Sequence, residues 1–358
     1  MSSADPLLSV IVPAHQGAAI LPRSLEALAA SDLARERWEL IVVDDASSDA
    51  TAKTAAAWAD RVLTLGGRPH GPGYARNRGV EVSRGQWVVF IDADVVVHPD
   101  ALTRFAESIE RNPGLDAVFG AYDETPPAAG FVSQYRNLHH RYVHLTGSGE
   151  AESFWAGCGA VRRAAFLAVG GFDERRYPRP MIEDIELGYR LRARHGRILL
   201  DPSIQGTHLK RWTFRGSVRT DLLDRGIPWA RLLMEQGRLA GSRNLNLNRT
   251  ERVKAVTVCA ALLLLAAAVL WRRPEPALVA AAGLAGVLLS NLPLFAWFRA
   301  LRGLPFALAV IPMNLWYYVV SSLSVAAGGV MYLLAPGRRT TLVAFDNGAL
   351  PPDKESAR

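Results

Sequence analysis

The first third of the chain alternates short apolar runs with amphipathic segments. Four of the apolar runs have the length of a buried strand: 7–12, 38–43, 61–65 and 87–91. After the first run, Leu21, Leu25 and Leu28 recur at helical spacing and predict a helix. After the second, an alanine-rich segment predicts another helix, from a cap at 47–49 to about residue 59. Strands that alternate with helices indicate βαβ units and a mostly parallel sheet.

Two of these predicted strands end in pairs of carboxylates. Asp44 and Asp45 follow the second strand, and Asp92 and Asp94 follow the fourth. A buried strand gains nothing from acids at its end unless a cation or hydrogen-bond donors meet them there. Ligands of such sheets bind at the carboxyl ends of the strands, so both pairs should face one site. Asp92 and Asp94 can present oxygen ligands to Mg²⁺ or Mn²⁺, and a bound metal can carry the phosphates of a nucleotide.

A glycine-rich loop, 66–73, separates the two acid pairs and leads into a helix that carries Arg76. No G-x-G-x-x-G follows the first strand, which disfavours a dinucleotide-dependent dehydrogenase. Further along, helices are predicted at 99–112 and 131–145, with a strand at 116–121 between them. The order of elements therefore predicts an α/β domain with its ligand site at one edge of the sheet.

Three later patterns carry candidate chemistry. His140 and His144 lie one helical turn apart, but no acid or cysteine completes a metal set, which favours a polar contact face. The segment 154–160 is rich in small residues, which permit close approach of a ligand to the backbone. Glu183 and Asp184 begin a predicted helix, where acids are common for reasons of the helix dipole alone.

Long apolar runs dominate the C-terminal third. Three uncharged runs follow Lys254, at 255–271, 277–298 and 303–337. About 20 apolar residues span a bilayer, so the second run is a good candidate and the first is short. Pro312 should divide the third run into a short interfacial piece and a span. Because almost no polar face remains here, membrane spans are favoured over a buried helical domain.

The basic residues are not spread evenly along the chain. The chain has 358 residues, 49% of them hydrophobic, and a net charge of +7. The segment 206–254 holds eleven Lys or Arg and four Asp or Glu, so the positive excess lies just before the apolar runs. Arginines interleave with apolar residues over 214–239, which is typical of interfacial helices, here with a break near Gly226 and Pro228. The favoured partner is an anionic membrane surface and not a nucleic acid.

Taken together, the motifs resemble glycosyltransferase family 2, the inverting enzymes of GT-A fold. The matching segments occur in the family's order: 9–14 (SVIVPA), 43–49 (VDDASSD), 71–77 (GPGYARN), 92–94 (DAD), 170–173 (GGFD) and 183–184 (ED). The resemblance covers about residues 7–212. The expected organisation is a GT-A domain (1–212), basic interfacial helices (213–250), a transmembrane region of about three spans (251–337) and a polar tail (338–358).

For the donor, the resemblance implies a nucleotide-diphosphate sugar and five binding residues. Asp45 would accept a hydrogen bond from the nucleotide base, in a pocket that Pro13 and His15 line. Arg76 would lie near the nucleotide or its diphosphate. Asp92 would lie nearer the ribose or the sugar.

For the reaction, the resemblance implies that Asp94 is the main ligand of Mg²⁺ or Mn²⁺. The ion would act as a Lewis acid on the departing nucleoside diphosphate. Asp184, with Glu183 beside it at the start of the helix, would take the acceptor proton as the acceptor oxygen attacks C1 of the sugar, which inverts the anomeric configuration. His208 would complete the metal shell, belong to an acceptor motif or be an ordinary structural histidine.

The segment 208–212 (HLKRW) resembles the Q-x-x-R-W motif of processive family members, with histidine in place of glutamine. This departure argues against a processive polysaccharide synthase, which stays an alternative together with a catalytically inactive sugar-nucleotide-binding membrane scaffold. The candidate acceptor contacts are Trp155, Gly157, Arg211 and Trp212. A site beside membrane spans predicts a lipid or glycolipid acceptor. Two separate cysteines and the absence of a signal-like N-terminal segment predict an inner-membrane protein with its catalytic domain in the cytoplasm.

Overall fold

The computed structural model describes residues 5–239 and 248–334. Its strands are β1 (Leu8–Ala14), β2 (Trp38–Asp45), β3 (Arg61–Leu65), β4 (Trp87–Ile91), β5 (Val95–Val97), β6 (Ala117–Tyr122), β7 (Gly149–Glu150), β8 (Cys158–Arg162) and β9 (Ile198–His208). The helices that accompany them are α1 (Leu21–Ala29), α2 (Thr51–Ala55), α3 (Pro72–Glu81), α4 (Ala101–Arg111), α5 (Phe131–Thr146), α6 (Arg163–Ala168) and α7 (Glu183–Ala193).

All these strands join one sheet, in the order β3-β2-β1-β4-β8-β6-β9-β5, with β7 paired to β9. The first four strands in the chain are parallel, as the alternation of strands and helices predicts. Beyond β4 the pairing is mixed, because β8 runs antiparallel to both β4 and β6 while β6 and β9 are parallel. The mostly parallel pairing is therefore confirmed for β1–β4 and wrong for the rest of the sheet.

Both faces of the parallel part are buried, which explains why its strands read as unbroken apolar runs. Successive side chains of a strand point to opposite faces, so Val89 and Ile91 of β4 pack into one core and Val88 and Phe90 into the other. Helices α1 and α4 cover the first face, and α3, α6 and α7 cover the second. The carboxyl ends of β1–β4 form an edge of the sheet that lies between these two layers of helices.

The sequence patterns predicted most of these strands and helices, but not all of them. The bounds of β3 and β4 are confirmed, and β2 continues through the acid pair to Asp45. Helix α2 ends at Ala55 and not near residue 59, because the chain must turn before β3 begins at Arg61. Strands β8 and β9 were not predicted, since β8 is short and rich in small residues and β9 contains Pro202 and alternating polar residues.

The basic segment forms one continuous helical stretch. It consists of α8 (Phe214–Arg219), a π-helical segment (Thr220–Gly226) and α9 (Ile227–Glu235). The predicted break near Gly226 and Pro228 is wrong, since the backbone at Ile227 stays helical, with φ −62° and ψ −49°. Pro228 lies in the first turn of α9, where a missing N–H is tolerated.

The apolar runs form α10 (Arg249–Trp271), α11 (Glu275–Ser290), α12 (Leu292–Arg302) and α13 (Leu304–Leu334). By length and composition, α10 and α13 can cross a membrane, whereas α11 and α12 qualify only as a pair that is bent by 55°. The second run is therefore not one straight helix. Its bend lies at Asn291, whose buried side chain bonds to Lys254 and Asn314 on neighbouring helices.

The third run is one helix, and Pro312 lies inside it without dividing it. Packing stabilises it over its length. Its first half packs with α12 against α5, around Tyr135 and Leu138. Its second half contacts α9, where Gly328 approaches Ala230. The predicted polar tail and the end of the third run, 335–358, lie outside the described residues.

Candidate active site

The predicted metal ligands meet through the pairing of two strands. β5 begins directly after Asp94 and runs antiparallel to β9, so that Val95 lies opposite His208. The N–H of Leu209 donates to the carbonyl oxygen of Asp94 at 2.8 Å. As a result, His208 Nε2 lies 3.3 Å from Asp94 Oδ2, although the two residues are far apart in the chain.

The ring of His208 is held on two further sides. Its Nδ1 lies 2.6 Å from Oδ1 of Asn137, on α5, and a carboxamide oxygen only accepts. The Nδ1 position therefore carries a hydrogen in either protonation state of the ring. Tyr122 stacks on the ring, with centroids 4.4 Å apart and 4° between the planes. The Nε2 position, which faces Asp94, is left to hold a proton or a metal ion.

Asp94 is suited to bind a cation. Burial alone would raise the pKa of Asp94, but the hydrogen bond and charge of His208, together with Lys210, hold it below its ordinary value. Within residues 5–239 and 248–334, no group of three His, Cys, Asp or Glu side chains has the geometry of a metal site. Asp94 and His208 would thus leave other positions to phosphate and water oxygens. This fits Mg²⁺, which binds through few protein ligands plus substrate phosphates.

Arg76 links the strand end that carries Asp92 to the start of α7. The guanidinium is buried, with Nη2 2.6 Å from Asp92 Oδ1 and Nη1 3.1 Å from Glu183 Oε1. Burial raises the pKa of Asp92; the charge of Arg76 opposes this shift and the charge of Asp94 adds to it. Glu183 also accepts the N–H of Met181 at 2.9 Å. Arg76, Asp92 and Glu183 therefore form one ionic group, which is buried at Arg76 and Glu183 and partly exposed at Asp92.

The glycine-rich loop encloses Asp45 at the end of β2. Its carboxylate accepts the N–H of His70 at 2.9 Å and that of Gly71 at 2.7 Å, and Nδ1 of His70 lies 3.0 Å away. His15 Nδ1 donates to the carbonyl oxygen of Asp45 at 2.7 Å, and Pro13 is half-buried on the adjacent β1. The three residues of the predicted base pocket thus lie together. A base that bonded to Asp45 would have to share its carboxylate with this loop.

Asp184, the second residue of α7, has the properties of a proton acceptor. Its Oδ2 accepts the N–H of Ala156 at 3.1 Å, and its Oδ1 accepts the N–H of Ile185 at 2.8 Å. Burial, and next the charge of Glu183, raise the pKa of Asp184 to about 6. A carboxyl group whose pKa is near the operating pH is suited to remove a proton from a hydroxyl.

A cavity of about 550 Å³ connects this site to the apolar helices. Asp184 and His208 line it. The lining also includes Ala255 and Val256 of α10 and Val320 and Val325 of α13. One cavity is therefore shared by candidate catalytic residues and by apolar side chains of the C-terminal helices.

Aromatic side chains form the part of the cavity surface next to His208. Tyr122, His140, His144 and Trp155 contact one another with ring centroids 4.1 to 5.2 Å apart. Burial lowers the pKa of His140, and it lowers that of His144 to about 4. At neutral pH this surface is therefore uncharged and suited to stacking.

The four candidate acceptor residues have different positions. Trp155 and Trp212 line the cavity, and Lys210 lies 4.2 Å above the ring of Trp212. Gly157 is buried, and a side chain there would collide with the indole of Trp155, 2.5 Å away. Arg211 is exposed and is not among the described residues that line the cavity.

Five further residues belong to the site although no motif identified them as ligands: His70, Tyr122, Asn137, Lys210 and Arg225. Asn137 illustrates why, because its partner His208 is 71 residues away and no local spacing relates them. One signal was present. The helix of Asn137 is dense in aromatic and basic residues, which is unusual for a purely structural helix.

Comparison with known proteins identifies the family of the N-terminal half. A family model described as "Glycosyl transferase family 2" matches residues 9–170. Residues 9–170 are a glycosyltransferase family 2 domain. The family 2 domain contains the predicted donor residues, Asp94 and the acceptor candidates Trp155 and Gly157, whereas Asp184 and His208 follow it.

Two relatives show how far the similarity extends. The succinoglycan biosynthesis protein ExoO of Rhizobium meliloti is 40% identical over 107 residues, which is 28% of this chain and 29% of that protein. The validoxylamine A glucosyltransferase of Streptomyces hygroscopicus subsp. jinggangensis is 31% identical over 225 residues, which is 53% of this chain and 52% of that protein. The chain thus spans about half, or less, of the length of these curated relatives.

A solved structure shows the same fold beyond the family 2 domain. The mannosyltransferase PcManGT from Pyrobaculum calidifontis, in complex with GDP-Man and Mn²⁺, aligns with a TM-score of 0.54. The identity is 19%, and the alignment covers 90% of this chain and 87% of that one. The chain therefore has the GT-A fold of the family 2 domain, followed by C-terminal helices of which α10 and α13 are long and apolar enough to cross a membrane.

Proposed function

We propose that the chain is a metal-dependent inverting glycosyltransferase that moves a sugar from a nucleotide-diphosphate sugar to a lipid-linked or membrane-associated acceptor. One observation carries this proposal. Asp94 contacts His208, and His208 and Asp184 line a cavity that residues of α10 and α13 also line. A donor site, a proton acceptor and an apolar surface thus converge.

Asp94 and His208 would hold Mg²⁺ or Mn²⁺ together with oxygens of the donor diphosphate. When bound, the ion supplies Lewis-acid neutralisation of the charge on the departing nucleoside diphosphate. Asn137 and Tyr122 orient His208 for this role, and Lys210 adds a positive charge near Asp94. That PcManGT was solved with GDP-Man and Mn²⁺ supports a general dependence on a divalent ion.

Asp184 would take the proton of the acceptor hydroxyl as its oxygen attacks C1 of the donor sugar. The N–H groups of Ala156 and Ile185 orient its carboxylate, and burial brings its pKa to about 6. The new bond forms on the face opposite the departing diphosphate, which inverts C1. The ion pair of Arg76 with Glu183 fixes the start of α7 and with it the position of Asp184.

The apolar part of the cavity lining supports an acceptor that is bound to a lipid. Trp155 and Trp212 line the same cavity as Asp184 and offer stacking surfaces for a sugar. The apolar side chains of α10 and α13 would accompany a hydrocarbon chain. This arrangement favours the inner membrane as the location, with the family 2 domain on the cytoplasmic side, where nucleotide sugars are made.

A donor screen on the full chain in detergent tests the proposal. Nucleoside diphosphate release is measured for UDP- and GDP-sugars with Mn²⁺, with Mg²⁺ and with a chelator. We expect turnover of one donor class with metal and loss of turnover with the chelator. A folded protein that releases no nucleoside diphosphate from any donor would overturn the proposal, and turnover that survives chelation would overturn its metal component.

A further inference from the structure

We propose that the acceptor lipid carries a phosphate group and that Arg225 binds this phosphate in the cavity beside Asp184. The inference rests on the proposed function and narrows its acceptor to a lipid joined through phosphate to the group that presents the hydroxyl. Arg225 belongs to the π-helical segment Thr220–Gly226, outside the family 2 domain and outside every motif.

Arg225 differs from the two acids of its own segment, Asp221 and Asp224, in having no counter-ion among the described residues. Asp221 pairs with Arg136 at 2.5 Å, and Asp224 pairs with Arg179 at 3.1 Å. The exposed side chain of Arg225 forms no hydrogen bond or ion pair with any residue in 5–239 or 248–334. The segment thus neutralises both of its acids and leaves one guanidinium for a ligand.

The guanidinium belongs to the cavity that the candidate catalytic residues share. Arg225 lines the same cavity as Asp184 and His208. Its charge opposes the rise that burial causes in the pKa of Asp184, so it lies within electrostatic range of the proposed proton acceptor. A π-helical segment also widens the helix at this point, a feature that often occurs at functional sites.

The other charges of the cavity do not offer the same binding site. Arg136 is already paired with Asp221, and Arg252 donates to the carbonyl oxygen of Leu239. Glu251 bonds to Lys254 and Tyr318. An anion that enters the cavity near Asp184 therefore meets Arg225 as the cation that is free of a protein partner among the described residues.

The chemistry of guanidinium selects the ligand. Arginine presents paired N–H donors that match two oxygens of a phosphate, and such charged pairs are among the stronger hydrogen bonds in proteins. Beyond Arg225 the lining continues with Val320, Val325 and Ala326 of α13 and with Val256 of α10. A phosphate followed by a hydrocarbon chain can bind both the guanidinium of Arg225 and the apolar side chains of α10 and α13. An uncharged lipid alcohol can bind only the apolar side chains.

The test compares two lipids that differ only in the phosphate. Binding of geranylgeranyl phosphate and of geranylgeraniol to the full chain in detergent is measured by thermal shift and by tryptophan fluorescence. We expect the phosphate to bind at least about 10-fold more tightly, and Arg225→Gln to remove about 10- to 100-fold of its affinity, because hydrogen bonds to charged groups are worth about 1.5–3 kcal/mol. Arg225→Lys should retain part of the affinity for geranylgeranyl phosphate.

The matched control is Arg219→Gln, on the same helical stretch but not among the described residues that line the cavity. It should bind geranylgeranyl phosphate as the wild type does. Equal binding of the two lipids, equal effects of the two glutamine variants, or equal competition by phosphatidylglycerol vesicles would each overturn the inference. Release of nucleoside diphosphate is measured on the same preparations. If donor turnover persists while phosphate is not preferred, this inference alone fails, whereas loss of all donor turnover in the folded wild type refutes the proposed function.

Discussion

The proposed donor side and the proposed acceptor side of the site differ in how their polar groups are satisfied. On the donor side, Asp45 is bound by the loop that carries His70 and Gly71, and Asp92 is bound by Arg76. On the acceptor side, the aromatic cluster around His140 is uncharged at neutral pH, and the side chain of Arg225 has no partner among the described residues.

This difference follows from how each side is assembled. The donor carboxylates stand at the ends of adjacent parallel strands, so short loops reach them and can form charged pairs. The acceptor surface combines side chains of β6, α5, β9, the π-helical segment and α13, which come from distant parts of the chain. Under the proposed function, donor binding is thus a property of local motifs, whereas acceptor choice depends on how the C-terminal helices pack. The following variants separate the two sides.

The largest effect is expected from Asp94→Ala, which removes the main metal ligand. Turnover should fall by about 10⁴-fold, because Lewis-acid stabilisation of a departing diphosphate contributes several kcal/mol. Release of nucleoside diphosphate at saturating Mn²⁺ measures the loss. Asp201→Asn, a carboxylate on β9 outside the site, is the matched control and should retain wild-type turnover. Equal turnover in Asp94→Ala and the wild type would contradict the metal assignment.

Asp184→Asn acts on the acceptor side and should leave donor binding intact. Transfer to a hydroxyl acceptor should fall by about 10³-fold, within the range of general base catalysis. In the wild type, kcat/KM should fall as the pH drops through about 6, where Asp184 becomes protonated, and the variant should lack this limb. Donor binding is followed by thermal shift. Unchanged transfer to a hydroxyl acceptor would refute the role of Asp184 as base.

The same substitution should change stability with a defined sign. Since the pKa of Asp184 is raised in the folded protein, the native state binds its proton more readily than the unfolded state does. The ionised carboxylate therefore destabilises the fold once the pH exceeds about 6, and this penalty disappears below the ordinary aspartate range near 4. Asp184→Asn should thus melt at a higher temperature than the wild type at pH 7 and not at pH 4.

Asn137→Leu tests whether the orientation of His208 matters for the metal. Partners that orient a metal-binding histidine typically contribute about 10- to 100-fold in metal affinity, so Mn²⁺ binding measured by electron paramagnetic resonance should weaken by that factor. Asn137→Asp keeps an acceptor for Nδ1–H and should preserve the affinity. Thr146→Val, at the end of the same helix, is the control for stability. If leucine and aspartate at position 137 weaken Mn²⁺ binding alike, Asn137 has only a packing role.

The smallest effect is expected from Gly226→Val, which disturbs the packing of the helices around the cavity. A Cβ at this position would lie 2.2 Å from Ser324 Oγ and 2.4 Å from the carbonyl oxygen of Asp221. Overpacking of this kind costs about 1–3 kcal/mol, so the protein should melt at a lower temperature and transfer several-fold more slowly. Donor turnover without acceptor should persist. Gly286→Val has open space around its Cβ and serves as the control.

The parallel half of the fold was predictable because its signals are local. An apolar run of five to eight residues indicates a buried strand wherever it occurs, and parallel strands bring their carboxyl ends together. Asp45, Asp92 and Asp94 were found in this way. The bend at Asn291 and the continuous helical stretch through Gly226 were not predicted, because each depends on contacts with neighbouring helices.

The sequence by itself determined the α/β alternation, the strand-end carboxylates, the family resemblance and the apolar character of the C-terminal third. Only the tertiary structure brought His208 to Asp94 through the pairing of β5 with β9, placed Asn137 behind His208, and left Arg225 facing the cavity. The physical reason is that periodicity encodes whether a side chain is buried and on which face. It does not encode which distant side chain it meets, and that is decided when strands pair and helices pack.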